Sequence, residues 1–146
     1  METSVNFINS ADEILNILDT FSYCLYSLES GSVDKSIVAE KFATVGKFIE
    51  LSNNNETIGF AAFYCNDNEH HIGFLSMIAV LPKYRHMGMG KKIMDIVCEV
   101  SRKNGMKSCM LQVRKDNIAA CAFYKDLGFE FTNQVTEDSY YMCIVL

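Results

Sequence analysis

Ile78-Ala79-Val80-Leu81-Pro82-Lys83-Tyr84-Arg85-His86-Met87-Gly88-Met89-Gly90-Lys91-Lys92 is the stretch that decides the fold. The apolar run Ile72 to Leu81 ends at the only proline, a loop passes two glycines, and an amphipathic pattern begins. Ten uncharged residues are about half a membrane span and suit a central strand buried on both faces. Glycines in the loop permit backbone conformations closed to other residues and let a ligand come close to the amides. The first turn of the following helix leaves about four N–H groups unpaired at its positive end, where a phosphate oxyanion fits. Arg85, Lys91 and Lys92 add full charges there.

The charge distribution points to the same place. The 146 residues carry a formal charge of −5, yet residues 81–115 hold nine bases and two acids, net +7. A basic island in an acidic chain suggests a local anion site and argues against a protein that coats nucleic acid. Lys83, Arg102, Lys103, Lys107 and Lys115 read as solvated surface, and Arg85, Lys91 and Lys92 are the bases expected at the anion. Two familiar phosphate patterns fail. A dinucleotide fingerprint needs glycine where Ile93 stands, and a P-loop needs glycine at Arg85 and Ser or Thr at Lys92.

Working outward, apolar residues at 14, 15, 17, 18, 21, 25 and 28 predict an amphipathic helix over Asp12–Leu28, broken by Ser30-Gly31-Ser32. Asp34 caps a second short helix to about Val45. Residues 47–51 and 57–65 read as strands joined by Asn53-Asn54-Asn55, and 71–80 as a third. A helix over about 88–104 stops at Gly105, a strand covers 107–113, and a helix over 117–127 stops at Gly128. Strands at 129–131 and 140–145 finish the chain. The order ααβββαβαββ predicts one α/β (α+β) domain over 1–146, a mixed sheet flanked by helices.

With 49% hydrophobic and 21% charged residues the chain can bury a core and is not disordered. Six cysteines without a CxxC pair, and no secretory start, favour a reducing cytoplasm over a disulfide framework. Asn55-Glu56-Thr57 spells a glycosylation acceptor that such a location makes idle. Neither a membrane nor a nucleic-acid partner is expected.

Two blocks together carry a resemblance. Arg85-x-x-Gly88-x-Gly90, preceded by Ile78-Ala79-Val80-x-Pro82-x-Tyr84, resembles the acetyl-CoA signature of the GCN5-related N-acetyltransferase (GNAT) superfamily. Leu111-x-Val113-Arg114-x-x-Asn117-x-x-Ala120-x-x-Phe123-Tyr124-x-x-x-Gly128-Phe129 resembles that family's second block. The likeness is close over about 57–131; over 1–50 it extends only to a pair of helices. It implies a mostly antiparallel sheet opened into a V between the central strand and the next, with acetyl-CoA as cosubstrate and no metal. Backbone groups of Ile78, Ala79 and Val80 would pair with the pantetheine arm. Amides of His86, Met87, Gly88, Met89, Gly90 and Lys91 would hold the pyrophosphate beside Arg85, and Asn117 would lie near the pantetheine. Tyr124 matches the tyrosine that faces the CoA sulfur, and a phenol with a pKa of about 10 can give a proton to a departing thiolate. The alternative, from a different class, is a CoA-binding sensor or partner module without catalysis.

The general base is not legible. Positions where relatives place a glutamate hold Gln112 and Phe74, and neither accepts a proton. Glu69, His70 and His71 precede the central strand, either as bases or in a turn at its far end. His70-His71 lacks a third metal ligand at suitable spacing. Passage of the proton through ordered water is the expectation. The acceptor is a primary amine, on a small cation or on a protein or peptide. Residues 1–50, with eight acids and three bases, would attract a cation or merely solvate a helix face. Relatives are often dimers, so a homodimer is expected by analogy.

Overall fold

The computed structural model describes residues 1–22 and 34–146. Its strands are β1 (Ser4–Phe7), β2 (Lys47–Asn53), β3 (Glu56–Tyr64), β4 (Ile72–Val80), β5 (Ser108–Arg114), β6 (Glu130–Val135) and β7 (Ser139–Val145). Its helices are α1 (Ala11–Phe21), α2 (Lys35–Thr44), α3 (Met89–Lys103) and α4 (Ile118–Asp126), with a 3-10 turn at Pro82–Tyr84. The strands form one sheet in the order β1-β2-β3-β4-β5-β7-β6. Every neighbouring pair is antiparallel except β4 with β5.

The expected order needs one correction at the front. Ser4–Phe7 is a strand that precedes the two helices, so the described order is βααβββαβαββ. Four exposed residues carry little periodic signal; β1 exists because it pairs with Leu51 and Ile49 on the sheet edge. Residues 23–28 of the first expected helix, and its break at Ser30-Gly31-Ser32, lie outside the described residues. At the other edge β6 runs to Val135, past the expected end at 131, through polar residues that neither face buries.

Helix starts follow local chemistry. Ser10 accepts from the Glu13 amide at 3.4 Å and caps α1; Asp34 accepts from the Ser36 amide at 2.9 Å and caps α2. The apolar side chains of β3 alternate between two cores. Ile58, Ala61 and Phe63 pack with Ile93, Met94 and Val97 of α3, while Phe60 and Ala62 pack with Ile14, Leu18 and Phe21 of α1. Phe60 stacks on Phe48 at 5.0 Å and meets Phe21 edge-on at 5.0 Å. Each fully buried phenylalanine contributes about 2–3 kcal/mol of transfer free energy. Helices on both faces make β3 and β4 central, as the apolar run at 72–81 implies. No described helix is long and apolar enough to cross a membrane.

Candidate active site

The site begins where a ladder ends. β4 and β5 pair in parallel only from Ile72↔Ser108 to Leu75↔Leu111. Beyond that, Met77–Val80 pair with β3 alone, and Gln112–Arg114 with β7 alone. The β3–β4 register slips at the same level: Phe63 faces Leu75, Ala62 faces Met77, and Ser76 is the extra residue. A bulge bends its strand and strengthens local twist, which turns the end of β4 away from β5.

A cleft of about 630 Å³ fills the gap. One wall is Ile78, Ala79 and Val80; Arg85, His86, Gly88, Met89, Gly90 and Lys91 form the mouth, and Asn117 and Tyr124 the opposite wall. Ten of the eleven residues assigned to cofactor binding, and the one assigned to catalysis, therefore line one cavity. The eleventh, Met87, is exposed beside it. Four lining residues carried no assigned role: Tyr84, Ala119, Ala120 and Phe123. Three of them were visible as letters of the two blocks; Ala119 had no signal.

The glycine turn is built for close approach. His86 (φ 62°) and Gly88 (φ 79°) are both left-handed, which wraps the chain so that α3 starts beside the end of β4. Gly88 is the N-cap and supplies no side-chain bond. Lys92 N–H donates to the Gly88 carbonyl at 3.1 Å, leaving the N–H groups of Met89, Gly90 and Lys91 without intrahelical partners. A Cβ on Gly90 would come within 3.1 Å of the Phe123 ring, so α3 and α4 meet closely here. The Arg85 Nε donates to the Val80 carbonyl at 3.0 Å, and Lys91 pairs with Asp95 at 2.9 Å. Across the cleft, Asn117 Oδ1 caps α4 by accepting from the Ala120 amide at 3.1 Å, and its side-chain amide N–H groups are left for a ligand.

Tyr124 is 9% exposed and touches Phe123 and Phe129 with ring centroids 5.3 and 5.7 Å away. Burial, with smaller effects from Cys121 and Cys109, pushes its phenol up to about 12. Among the described residues its hydroxyl has no hydrogen-bond partner, and it faces a cavity. Such a group is a proton donor at neutral pH and cannot serve as a base.

The family model described as Acetyltransferase (GNAT) family matches residues 12–129. The chain belongs to that family. It is 38% identical over 80 residues to the [Ribosomal protein bS18]-alanine N-acetyltransferase of Escherichia coli (strain K12), covering 55% of this chain and 52% of that one. It is 31% identical over 86 residues to N-alpha-acetyltransferase 30 of Schizosaccharomyces pombe, covering 56% and 55%. The chain thus spans about half the length of the curated relatives it matches. The fold is similar to that of PaiA N-acetyltransferase from Thermoplasma acidophilum, solved in complex with coenzyme A, with a TM-score of 0.75, 17% identity, and 98% and 99% of the two chains covered.

Other residues considered from sequence fall elsewhere in this GNAT fold. Lys92 bonds Thr3 on the far side of α3 and lines a second groove with Val5 and Phe7, not the cleft. Gln112 is exposed on the free part of β5, opposite Tyr141, and Phe74 sits half-buried in the paired part of β4. His70 and His71 occupy the turn before Ile72, so six residues of strand, about 20 Å, separate them from Ile78. His70 pairs there with Asp67 at 3.7 Å.

Proposed function

We propose that the protein is an acetyl-CoA-dependent N-acetyltransferase that moves an acetyl group directly to a primary amine. The observation that carries this reading is the parting of β4 from β5 beyond Leu75 and Leu111, with a left-handed glycine turn at one lip and Tyr124 on the other. A cavity of about 630 Å³ has the size of a small-molecule site, and its donors suit a polyanion with a slender arm. Bound acetyl-CoA supplies a thioester, an acyl carbon open to attack by a neutral amine.

This chain's residues hold the ends of that reaction. The amides of Met89, Gly90 and Lys91 and the cations of Arg85 and Lys91 would hold the phosphate oxygens. The strand edge at Ile78–Val80 and the Asn117 side chain position the pantetheine amides. Tyr124 keeps its proton at Oη through neutral pH and donates it to the leaving sulfur. As the C–N bond forms and the C–S bond breaks, the amine would give its proton to water, because Gln112 offers no carboxylate, and water would return a proton to Tyr124. Both curated relatives are named for acetylation of α-amines or protein alanine, which favours a protein or peptide amine among the acceptors. Five described cysteines are free, in keeping with a reducing compartment.

The test is a panel of peptide α-amines, lysine-like amines and polyamines mixed with pure protein and acetyl-CoA, with thiol release as the readout. Calorimetry with acetyl-CoA runs beside it on wild type and Arg85→Ala. Release with at least one amine, and weaker binding by Arg85→Ala, supports the reading. Tight binding with no release for any amine favours the sensor module, and no binding removes both.

A further inference from the structure

The turn between β2 and β3 lies outside the cleft but holds one of its walls. Asn54 (φ 49°) and Asn55 (φ 53°) are both left-handed, the pattern of a type I′ hairpin turn, and they deliver Glu56 to the first position of β3. Glu56 Oε2 accepts from Tyr84 Oη, and Oε1 pairs with Lys83 Nζ. Lys83 Nζ also lies 5.3 Å from the centroid of the Tyr84 ring. One carboxylate therefore binds two consecutive residues of the 3-10 turn.

Backbone bonds fix the rest of that turn. Leu81 N–H donates to the Ile58 carbonyl at 2.9 Å, Tyr84 N–H to Leu81 at 2.9 Å, and Arg85 N–H to Pro82 at 3.2 Å. They leave the Tyr84 side chain, which lines the cleft, to be set by its packing on the β3–α3 core and by the anchor at its hydroxyl. Its hydroxyl is held by Glu56. Directly beyond lies His86, a non-glycine residue whose positive φ persists only where the flanking structure holds it.

We propose that Glu56 is a positioning residue, which through Tyr84 and Lys83 clamps the 82–84 turn to the β2–β3 hairpin and so sets the affinity of the glycine turn for CoA. The inference rests on the acetyl-CoA reading above. Two forces act in the clamp. The Lys83 ammonium, then the Tyr84 hydroxyl, hold the Glu56 carboxyl below its ordinary range, so it stays ionised at neutral pH and keeps both donors.

The experiment is calorimetric titration of CoA into wild type, E56A, E56Q, Y84F and the E56A/Y84F double variant, with a melting curve for each. The Kd for CoA rises roughly three- to tenfold in E56A, the scale of one charge-assisted hydrogen bond that stays wet. E56Q, whose amide oxygen still accepts from Tyr84, recovers most of that loss. Y84F shows part of the E56A loss, because Lys83 still pairs with Glu56, and the double variant is no weaker than E56A. With a found acceptor, the KM for acetyl-CoA rises in E56A while kcat holds. Unchanged CoA affinity in E56A overturns the inference alone. So do E56Q as weak as E56A, multiplied effects in the double variant, or kcat falling with the melting temperature. Wild-type protein that binds no CoA overturns both the acetyl-CoA reading and this one.

Discussion

The two halves of β4 have similar compositions and opposite fates. Ile72–Leu75 pairs with β5 along its whole length, Phe74 and Leu75 pair with β3 as well, and Leu75 is buried in the core. Met77–Val80 pairs on one side only, and Ile78–Val80 line a cavity on the other. Gly73 pairs with Cys109 in the closed half; Gly59 of β3 backs Val80 in the open half. An apolar strand is therefore not sufficient for a closed sheet. One extra residue at Ser76 converts a core element into the wall of a cleft without changing its hydropathy.

Titration separates the halves most sharply. Burial, and then the neighbouring thiols of Cys98, Cys65 and Cys143, push the Cys109 thiol from 9.0 up to about 12. A group whose folded pKa lies above its unfolded value contributes stability in full below the unfolded pKa and loses it as pH rises through the folded one. For Cys109 the window is pH 9 to 12, and three pK units amount to a loss on the order of 4 kcal/mol. Urea midpoints measured across that window should fall steeply in wild type and less in Cys109→Ala. Tyr124, across the cleft from the open half, adds a share that begins only above pH 10, and that share should be lost in Tyr124→Phe. A flat midpoint from pH 9 to 12 would contradict the burial of both groups.

The next effect probes the support behind the open half. A Cβ on Gly59 would stand 2.5 Å from the Ala79 carbonyl and 2.8 Å from Ile93 Cδ1, so backbone must move. Gly59→Val should cost about 3 kcal/mol in urea unfolding and weaken acetyl-CoA binding with it. Stability lost with cofactor affinity intact would show that the wall at Ile78–Val80 does not depend on this contact. The third effect is confined to chemistry. Tyr124→Phe should lower turnover with saturating acetyl-CoA by about a hundredfold and leave the CoA Kd unchanged. Unchanged turnover over the pH range would remove the acid role.

Much of this was legible before any coordinates, because local rules carry it. The glycine turn, the caps at Asp34 and Asn117, and the stops at Gly105 and Gly128 depend on residues a few positions apart. β1 was not legible, since Val5 and Phe7 become a strand only through Leu51 and Ile49, more than forty residues away. Lys92 looked like its neighbour Lys91, but consecutive helical positions diverge by about 100° and it turned to Thr3. The expected V came from resemblance; the bulge at Ser76 that opens it is a property of two strands together. Glu56 stood in the sequence only as the middle letter of an idle glycosylation triplet, and its two partners lie 27 and 28 residues on.

Two antiparallel subsheets, β1 to β4 and β5 to β7, are joined in this molecule by four parallel residue pairs. That seam is the shortest ladder across the centre of the sheet, and closing it requires the chain to travel through α3 first. A ligand gripping Ile78–Val80 on one side and Asn117 on the other spans the same seam beyond its last pair. Its binding energy is then added to the cohesion of the two halves, as any ligand selective for the folded state adds to stability. Amide exchange along Ile72–Leu75 and Ser108–Leu111 is where occupancy of the cleft would be felt as slower opening of the whole protein.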